Sequence, residues 1–172
     1  MCMILETDRI LLREFEIEDY KSVFEFGSNK EVQRYTGDKV LESEDEAKRI
    51  ISQVNLPDYK KYGYGRWATV YKPDNKIIGF AGLKYLKSIS EIDIGFRFLP
   101  KYWGKGIATE IATEIIHYGF NTLNLKRIIG IAHPDNIASC KVLNKIGMEL
   151  YKKDEYEGDG GSYNWYKIER FK

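Results

Sequence analysis

The sequence has few of the residues that build disulfide frameworks and metal sites. It contains two cysteines and two histidines among 172 residues, and neither Cys2 nor Cys140 belongs to a CxxC pair. Two histidines are too few for a typical metal cluster, so we expect no bound metal. No internal repeat, low-complexity tract or linker divides the chain. We therefore expect a single domain over residues 1–172.

Long apolar runs and an excess of one charge are also missing. No apolar run is long enough to cross a bilayer, so we expect no membrane partner. The first residues, MCMILETDRILLREFE, lack the basic start, apolar centre and small-residue cleavage site of a signal peptide. The net charge is +1, which gives no electrostatic reason to expect nucleic acid as a partner. These features favour a cytoplasmic protein, and they leave a monomer and a homodimer equally open.

The hydrophobic pattern that is present predicts seven strands and four helices. Strands are predicted over 10–15, 66–72, 77–86, 91–98, 127–133, 149–153 and 162–171. Helices are predicted over 18–28, from Ser43 to the residue before Pro57, over 107–120 and over 135–148. Most strands are neighbours in sequence, so we expect an α+β fold with a mixed, mostly antiparallel sheet flanked by helices.

The strand EIDIGFRF at 91–98 alternates strictly between apolar and polar residues. One face carries isoleucine and phenylalanine, and the other carries Glu91, Asp93, Gly95 and Arg97. This pattern is typical of a half-buried strand. Gly95 fits a β-bulge or an ordinary flexible glycine, and Arg97 is a possible partner for the acids on its own face.

The segment LPKYWGKGIATE at 99–110 places Gly104 and Gly106 between this strand and the next helix. A helix N-terminus has unpaired N–H groups and a positive dipole, so bare backbone there can bind phosphate. A plain turn would have the same glycines. The P-loop pattern GxxxxGK(S/T) is absent. The dinucleotide pattern GxGxxG lacks its third glycine, because Thr109 occupies that position.

Two longer segments carry a family resemblance. FRFLPKYWGKGIATE resembles the pyrophosphate-binding motif (Q/R)xxGx(G/A) of the GNAT superfamily of N-acetyltransferases, with Lys101 in the first position. HPDNIASCKVLNKIGM resembles the NxxSxxVLxKxGF signature of the ribosomal-protein N-terminal acetyltransferase branch (RimJ/RimL-like), with Met148 in place of the aromatic residue. LETDRILLREF resembles the start of that branch. The resemblance covers residues 4–150 strongly and implies a GNAT-like fold.

The resemblance also implies a reaction, the transfer of an acetyl group from acetyl-coenzyme A to a primary amine. The acceptor would be a protein N-terminus, for example that of a ribosomal protein, or a small molecule. Cofactor contacts would come from the glycine loop, from the strand before it and from the later helix. The implied residues are Phe96, Phe98, Trp103, Gly104, Lys105, Gly106, Ile107, Ala108, Thr109, Asn136 and Ser139. Asn136 is equally suited to capping its helix.

The same resemblance suggests catalytic and acceptor residues. A carboxylate must take the amine proton, and the candidates are Asp93, Glu91 and Glu155. The usual acid tyrosine of the superfamily is replaced by Leu143, which leaves Ser139 as the alternative donor. The acceptor pocket would contain Arg34, Tyr35, Tyr64 and Trp67. Leu143 keeps open a non-catalytic cofactor-binding module of the same fold, and a nicotinamide oxidoreductase is disfavoured by the missing third glycine.

Overall fold

A computed structural model describes residues 3–156 and 161–170, and its eight strands form one sheet. The strands are β1 Met3–Glu6, β2 Ile10–Arg13, β3 Arg66–Tyr71, β4 Lys76–Leu86, β5 Glu91–Phe98, β6 Arg127–Ala132, β7 Glu149–Asp154 and β8 Tyr163–Glu169. Their spatial order is β1-β2-β3-β4-β5-β6-β8-β7. Neighbouring strands are antiparallel except for β5 and β6, which are parallel. The mixed, mostly antiparallel sheet is therefore confirmed.

Helices connect and cover these strands. They are α1 Tyr20–Gly27, α2 Lys30–Gln33, α3 Glu44–Ile50, α4 Leu56–Tyr62, α5 Ile107–Asn121 and α6 Ile137–Lys145. Short 3-10 turns occupy Ile17–Asp19, Lys72–Asp74 and Pro100–Tyr102, and a π-helical turn occupies Ile51–Asn55. No helix within the described ranges has the length and apolar character needed to cross a membrane.

The prediction that the helix begun at Ser43 ends before Pro57 is wrong. The start is as expected, since the Ser43 hydroxyl accepts the Glu46 N–H at 3.3 Å. The helix then widens into the π-helical turn, in which the Leu56 N–H bonds to the Ile51 carbonyl, and α4 begins with Pro57 in its first turn. Proline is tolerated there because its missing N–H would have had no partner in a regular first turn. Strand β1 and helix α2, of four residues each, were also not predicted.

Helix α5 shows how the amphipathic pattern becomes a core. Its buried stripe of Ile107, Ile111, Ala112, Ile115 and Ile116 packs on the central strands β4, β5 and β6. Each fully buried isoleucine is worth about 1.5–3 kcal/mol relative to an exposed one. Because this stripe is fixed against the sheet, the N-terminus of α5 is held at the end of β5.

The strands β5 and β6 separate soon after they pair. Their pairing places Asp93 opposite Ile129, whereas β4 stays paired with β5 from Leu86 opposite Glu91 to Gly79 opposite Phe98. The later half of β5 is thus held on one side only. The register with β4 is unbroken where Gly82 faces Gly95, so Gly95 forms no bulge on that side. A Cβ there would lie 2.5 Å from the guanidinium of Arg66, which explains the glycine.

Candidate active site

A cleft of about 1230 Å³ opens where β5 and β6 diverge. It is bounded by the segment after α1, by β5, and by the first turns of α5 and α6. Such a volume is ample for a small organic ligand. We call the side formed by α5 and α6 the donor end, and the side formed by residues 31–39 the acceptor end.

The glycine loop of the donor end has an open front. Gly104 and Gly106 adopt left-handed φ values of 70° and 76°. A Cβ at Gly104 would meet nothing within 4 Å, and one at Gly106 would find only the Arg9 Nη2 at 3.8 Å. The first N–H groups of α5 lack helical partners and carry the positive end of its dipole. The loop therefore fits an anionic group such as a pyrophosphate.

The other predicted loop residues differ in where their side chains lie. Trp103 is 46% exposed, and its indole N–H donates to the Phe98 carbonyl at 2.6 Å. Ile107 is buried in the core, so only its backbone can serve a ligand. Lys105 presents its carbonyl to Arg9 at 2.9 Å. Gly104, Gly106, Ala108 and Thr109 all line the cleft, as do Phe96 and Phe98.

Asn136 and Ser139 lie together at the start of α6, on the same wall. The Asn136 Oδ1 accepts the Ser139 N–H at 3.1 Å, so Asn136 caps this helix. Both residues line the cleft. Within residues 3–156 and 161–170, no group hydrogen-bonds to the Ser139 hydroxyl. That hydroxyl can therefore donate toward a group bound in the cleft.

Asp93 lies at the point of divergence and pairs with Arg66 from β3. The Arg66 Nη2 contacts the Asp93 carboxylate, and its Nη1 donates to the Gly82 and Asp93 carbonyls at 2.5 and 3.1 Å. Burial raises the pKa of the Asp93 carboxyl, and the attraction of Arg66 opposes this rise. The carboxylate is thus in the cleft, but it is buried and already has a cationic partner.

Arg97 ties the acceptor end to β5 and is not the partner of Asp93. It donates to the Gln33 Oε1 and to the Asp38 Oδ2, each at 2.7 Å. Gln33 in turn donates to the Gly27 carbonyl at 2.9 Å. Burial lowers the pKa of Arg97, and Asp38 opposes this. The polar face of β5 is therefore covered by the segment after α1, which the half-buried pattern did not indicate.

An aromatic contact crosses the cleft from Tyr35 to His133. Their rings stack with centroids 5.4 Å apart, and the Arg34 guanidinium lies 5.2 Å from the Tyr35 ring. The His133 Nδ1 accepts the Asp135 N–H at 3.2 Å. In this arrangement the His133 Nδ1 is an acceptor, which leaves Nε2 as the other polar atom of the ring.

Several sequence-predicted residues are not brought to the cleft. Glu91 lies at the closed start of β5 and pairs with Arg127 at 3.3 Å. Glu155 is exposed after β7, with its N–H on the Asp154 Oδ1. Trp67 and Tyr64 are 1% and 8% exposed and belong to the hydrophobic core. Arg34 and Tyr35 do line the cleft.

Sequence reasoning missed Arg66, Gln33 and Arg9. Arg66 and Gln33 come from segments far from their partners in the chain, so no local spacing signals them. Arg9 stands within the LETDRILLREF segment, but its partner lies about a hundred residues later. The predicted turn between β7 and β8 falls mostly on residues 157–160, which lie outside the described residues, as does Cys2.

Comparison with known proteins gives the same picture as the geometry. The profile of the acetyltransferase (GNAT) domain matches residues 9–149. The chain is 34% identical over 150 residues to the uncharacterized N-acetyltransferase YoaA of Bacillus subtilis, covering 87% of this chain and 84% of that protein. A GNAT acetyltransferase structure from Bacillus anthracis superposes with a TM-score of 0.82 at 27% identity, covering 98% of each chain.

A further structure shares the fold at lower identity. The ribosomal L7/L12 alpha-N-protein acetyltransferase RimL, solved with coenzyme A, superposes with a TM-score of 0.83 at 18% identity, over 97% of each chain. The open glycine loop and the diverging strands are consistent with the family match over most of the chain. The chain belongs to the GNAT acetyltransferase family and is an N-acetyltransferase that uses acetyl-coenzyme A.

Proposed function

We propose that this enzyme acetylates a primary amine by direct attack within the cleft, the acceptor being a protein N-terminus or a small-molecule amine. The observation that carries the proposal is the divergence of β5 from β6, with an open glycine loop at one end and an ordered polar network at the other. The two reactants must be held with their reacting atoms at one point, and a cleft with a binding wall at each end suits that requirement.

The donor end supplies backbone groups for the nucleotide. The amides from Trp103 to Ala108 would receive the pyrophosphate, with Thr109 close by in the first turn of α5. The backbone of Phe96 and Phe98 would pair with the pantetheine arm, since β5 has no strand partner on that side. At Phe98 the Trp103 indole already occupies the carbonyl, so the arm would share or replace that bond. Lys141 and Lys145 line the same wall and would add positive charge.

Asp93 is the carboxylate best placed to accept the amine proton. Bound acetyl-coenzyme A supplies the acetyl group as a thioester, whose C–S bond breaks as the C–N bond to the amine forms. The amine proton would pass to Asp93, directly or through a water molecule. Burial raises the pKa of this carboxyl, which brings it closer to the range suited to a general base. Arg66 would hold its orientation.

The Ser139 hydroxyl would assist the other half of the exchange. It would donate a hydrogen bond to the sulfur as negative charge develops there. Leu143, at the position of the usual acid, is 2% exposed and packs against Gly130, where a Cβ would lie 2.8 Å from the leucine Cδ2. Its role is in the core, so Ser139 is the side chain of α6 that we assign to the leaving thiolate.

The acceptor end carries groups of both signs, including Glu31, Arg34, Asp38 and Lys39. Three of these charges are engaged, because Asp38 binds Arg97, Arg34 lies on Tyr35 and Lys39 pairs with Glu42 at 3.4 Å. Because acidic and basic residues are mixed here, the acceptor end does not favour a polycationic acceptor. A peptide N-terminus is compatible with this mixture of charges, and the RimJ/RimL-like motif also suggests such an acceptor. The cytoplasmic location, the monomeric or dimeric state and the lack of a nucleic-acid partner stay predictions from the sequence.

The test is a panel of peptides and small amines incubated with acetyl-coenzyme A, with free thiol as the readout. We expect thiol release that depends on one class of amine, above a control without amine. A peptide acceptor predicts release with free N-termini and none with the same peptides blocked at the N-terminus. The proposal fails if acetyl-coenzyme A produces neither calorimetric heat nor a change in melting temperature.

A further inference from the structure

The turn between β1 and β2 reaches the glycine loop through Arg9. Its Nη1 donates to the Lys105 carbonyl at 2.9 Å, and its Nε donates to the Glu110 carboxylate at 2.8 Å. The Nη2 contacts the same carboxylate. One guanidinium therefore joins the loop to the first turn of α5. Arginine suits this task because its planar group presents several donors in fixed directions.

The turn that carries Arg9 is itself firmly held. The Thr7 N–H donates to the Ile10 carbonyl at 2.8 Å, and the Ile10 N–H donates to the Thr7 hydroxyl oxygen at 3.0 Å. The Lys72 N–H donates to the Arg9 carbonyl at 2.9 Å. The Thr7 hydroxyl also donates to Glu110 at 2.6 Å. Arg9 thus extends from a fixed backbone toward the loop.

The bond to the Lys105 carbonyl sets the direction of the next amide. A trans peptide unit is planar, and its C=O and N–H point in opposite directions. When the Lys105 carbonyl points at Arg9, the Gly106 N–H points away from Arg9. Gly106 itself lines the cleft. The arginine thereby fixes the plane of the peptide unit that contains the Gly106 N–H.

Arg9 also offsets the charge of Glu110. A carboxylate in the first turn of a helix favours the helix but repels an anion bound at the same end. Burial would raise the pKa of Glu110, but the hydrogen bonds from Thr7 and Arg9 outweigh it, and the net pKa lies below its ordinary value. The carboxylate is therefore charged at neutral pH, and its charge is paired.

We propose that Arg9 is a positioning residue for the coenzyme A pyrophosphate, which orients the Gly106 amide and neutralises Glu110 beside the bound anion. This inference rests on the proposed function, because it concerns the same donor end. It assigns to the β1–β2 turn a part in cofactor affinity that the glycine motif alone does not contain.

The experiment measures the Kd of coenzyme A by calorimetry for the wild type, R9Q, R9K and the control R49Q. Arg49 is exposed on α3 and does not line the cleft, so R49Q makes the same charge change elsewhere. Losing a charge-assisted hydrogen bond to the loop predicts roughly tenfold weaker binding for R9Q. R9K keeps the charge but cannot span both partners, so we expect a smaller loss. R49Q should match the wild type.

A second ligand separates the pyrophosphate from the ribose phosphate. Dephospho-coenzyme A lacks the 3′-phosphate, so the fold-loss in R9Q should equal that measured with coenzyme A. Equal Kd values for R9Q, R9K and the wild type, with binding intact, would overturn this inference alone, as would a loss of melting temperature without a change in Kd. A wild-type chain that binds no coenzyme A would overturn the proposed function as well.

Discussion

The two ends of the cleft are built in different ways. The donor end uses backbone groups from one short stretch, in which Gly104 and Gly106 lead directly into α5. The acceptor end uses side chains joined across long separations, such as Arg97 with Gln33 and with Asp38, which are 64 and 59 positions apart. Nucleotide binding by backbone leaves a recognisable pattern in sequence. An acceptor site built from distant side chains does not.

This difference predicts that variants of one end should leave the other unchanged. Donor-end variants should alter the Kd of coenzyme A, and acceptor-end variants should alter the KM of the amine. Asp93 lies between the two ends, so its substitution should change turnover without a matching change in either affinity.

Asp93→Asn should give the largest loss. General-base catalysis is worth about 10²–10⁴-fold, so we expect kcat to fall within this range while the Kd of coenzyme A stays within a factor of about two. The variant also deprives the half-buried Arg66 of its carboxylate partner, which should lower the stability. The double variant D93N/R66Q removes the stranded charge. Melting temperatures and single-turnover rates measure both effects.

The double variant separates a catalytic role of Asp93 from a structural one. A catalytic Asp93 predicts that D93N/R66Q regains much of the melting temperature but not the rate. If the rate recovers together with stability, Asp93 is a structural residue and the proton goes elsewhere.

Gly106→Val should weaken coenzyme A binding by about 100-fold or more, since at least one charge-assisted amide bond to phosphate is lost and the approach is blocked. Gly63→Val is the matched control, because Gly63 has a φ of 75° and equally empty surroundings at the end of α4. Both valines carry similar backbone strain. Calorimetry should therefore separate them, with the control at wild-type affinity. Equal affinities for all three proteins would mean that the loop is only a turn.

Arg97→Gln should loosen the segment from Gln33 to Asp38 and raise the acceptor KM by roughly tenfold, the equivalent of one charged hydrogen bond. The Kd of coenzyme A should not change, because the donor end keeps all its contacts. Steady-state kinetics with saturating acetyl-coenzyme A measures the effect, and R49Q serves again as the charge control. A rise in the coenzyme A Kd instead would show that the two ends are coupled.

The smallest effect concerns acid pH. The pKa of Glu110 is lower in the folded protein than its ordinary value of 4.5, so the folded state favours the charged form. Its contribution to stability is complete above the ordinary value and is lost as the pH falls through the lowered pKa. Thr7 and Arg9 then lose their charged partner. E110Q should remove this part of the acid sensitivity, measured as melting temperature against pH beside the wild type.

Sequence patterns located the strands and helix ends that depend on a few adjacent residues. The alternation of residues 91–98 gave β5 with its observed ends, and two helices begin after Ser43 and Gly106 as expected. The prediction at Pro57 was wrong because proline is common both after the end of a helix and in its first turn. Here the π-helical turn of Ile51–Asn55 leads into α4, so Pro57 lies in the first turn of a helix. The position of Trp67 in the core, where an acceptor pocket was expected, depends on strand packing that no local spacing encodes.

The site was predictable to the extent that it is made of backbone. Gly104, Gly106 and Asn136 could be proposed from the sequence because glycine freedom and helix capping are properties of a few adjacent residues. Asp93 could be proposed in the same way, but its partner Arg66 could not, because this β3 side chain crosses β4 and passes over Gly95 to reach it. Gly95 leaves the space that the Arg66 side chain needs. In the sequence alone it cannot be distinguished from an ordinary strand glycine.

Trp103 gives the protein an optical property. Of its three tryptophans, Trp67 and Trp165 are buried, whereas Trp103 is 46% exposed at the rim of the glycine loop. Its indole is bonded to the Phe98 carbonyl, the group that an incoming pantetheine arm would approach. Solvent-accessible quenchers should therefore act mainly on this one ring. If the cofactor binds at this loop as proposed, Trp103 fluorescence should report donor-site occupancy in the unlabelled enzyme, and the loss of that signal in W103F would identify its source.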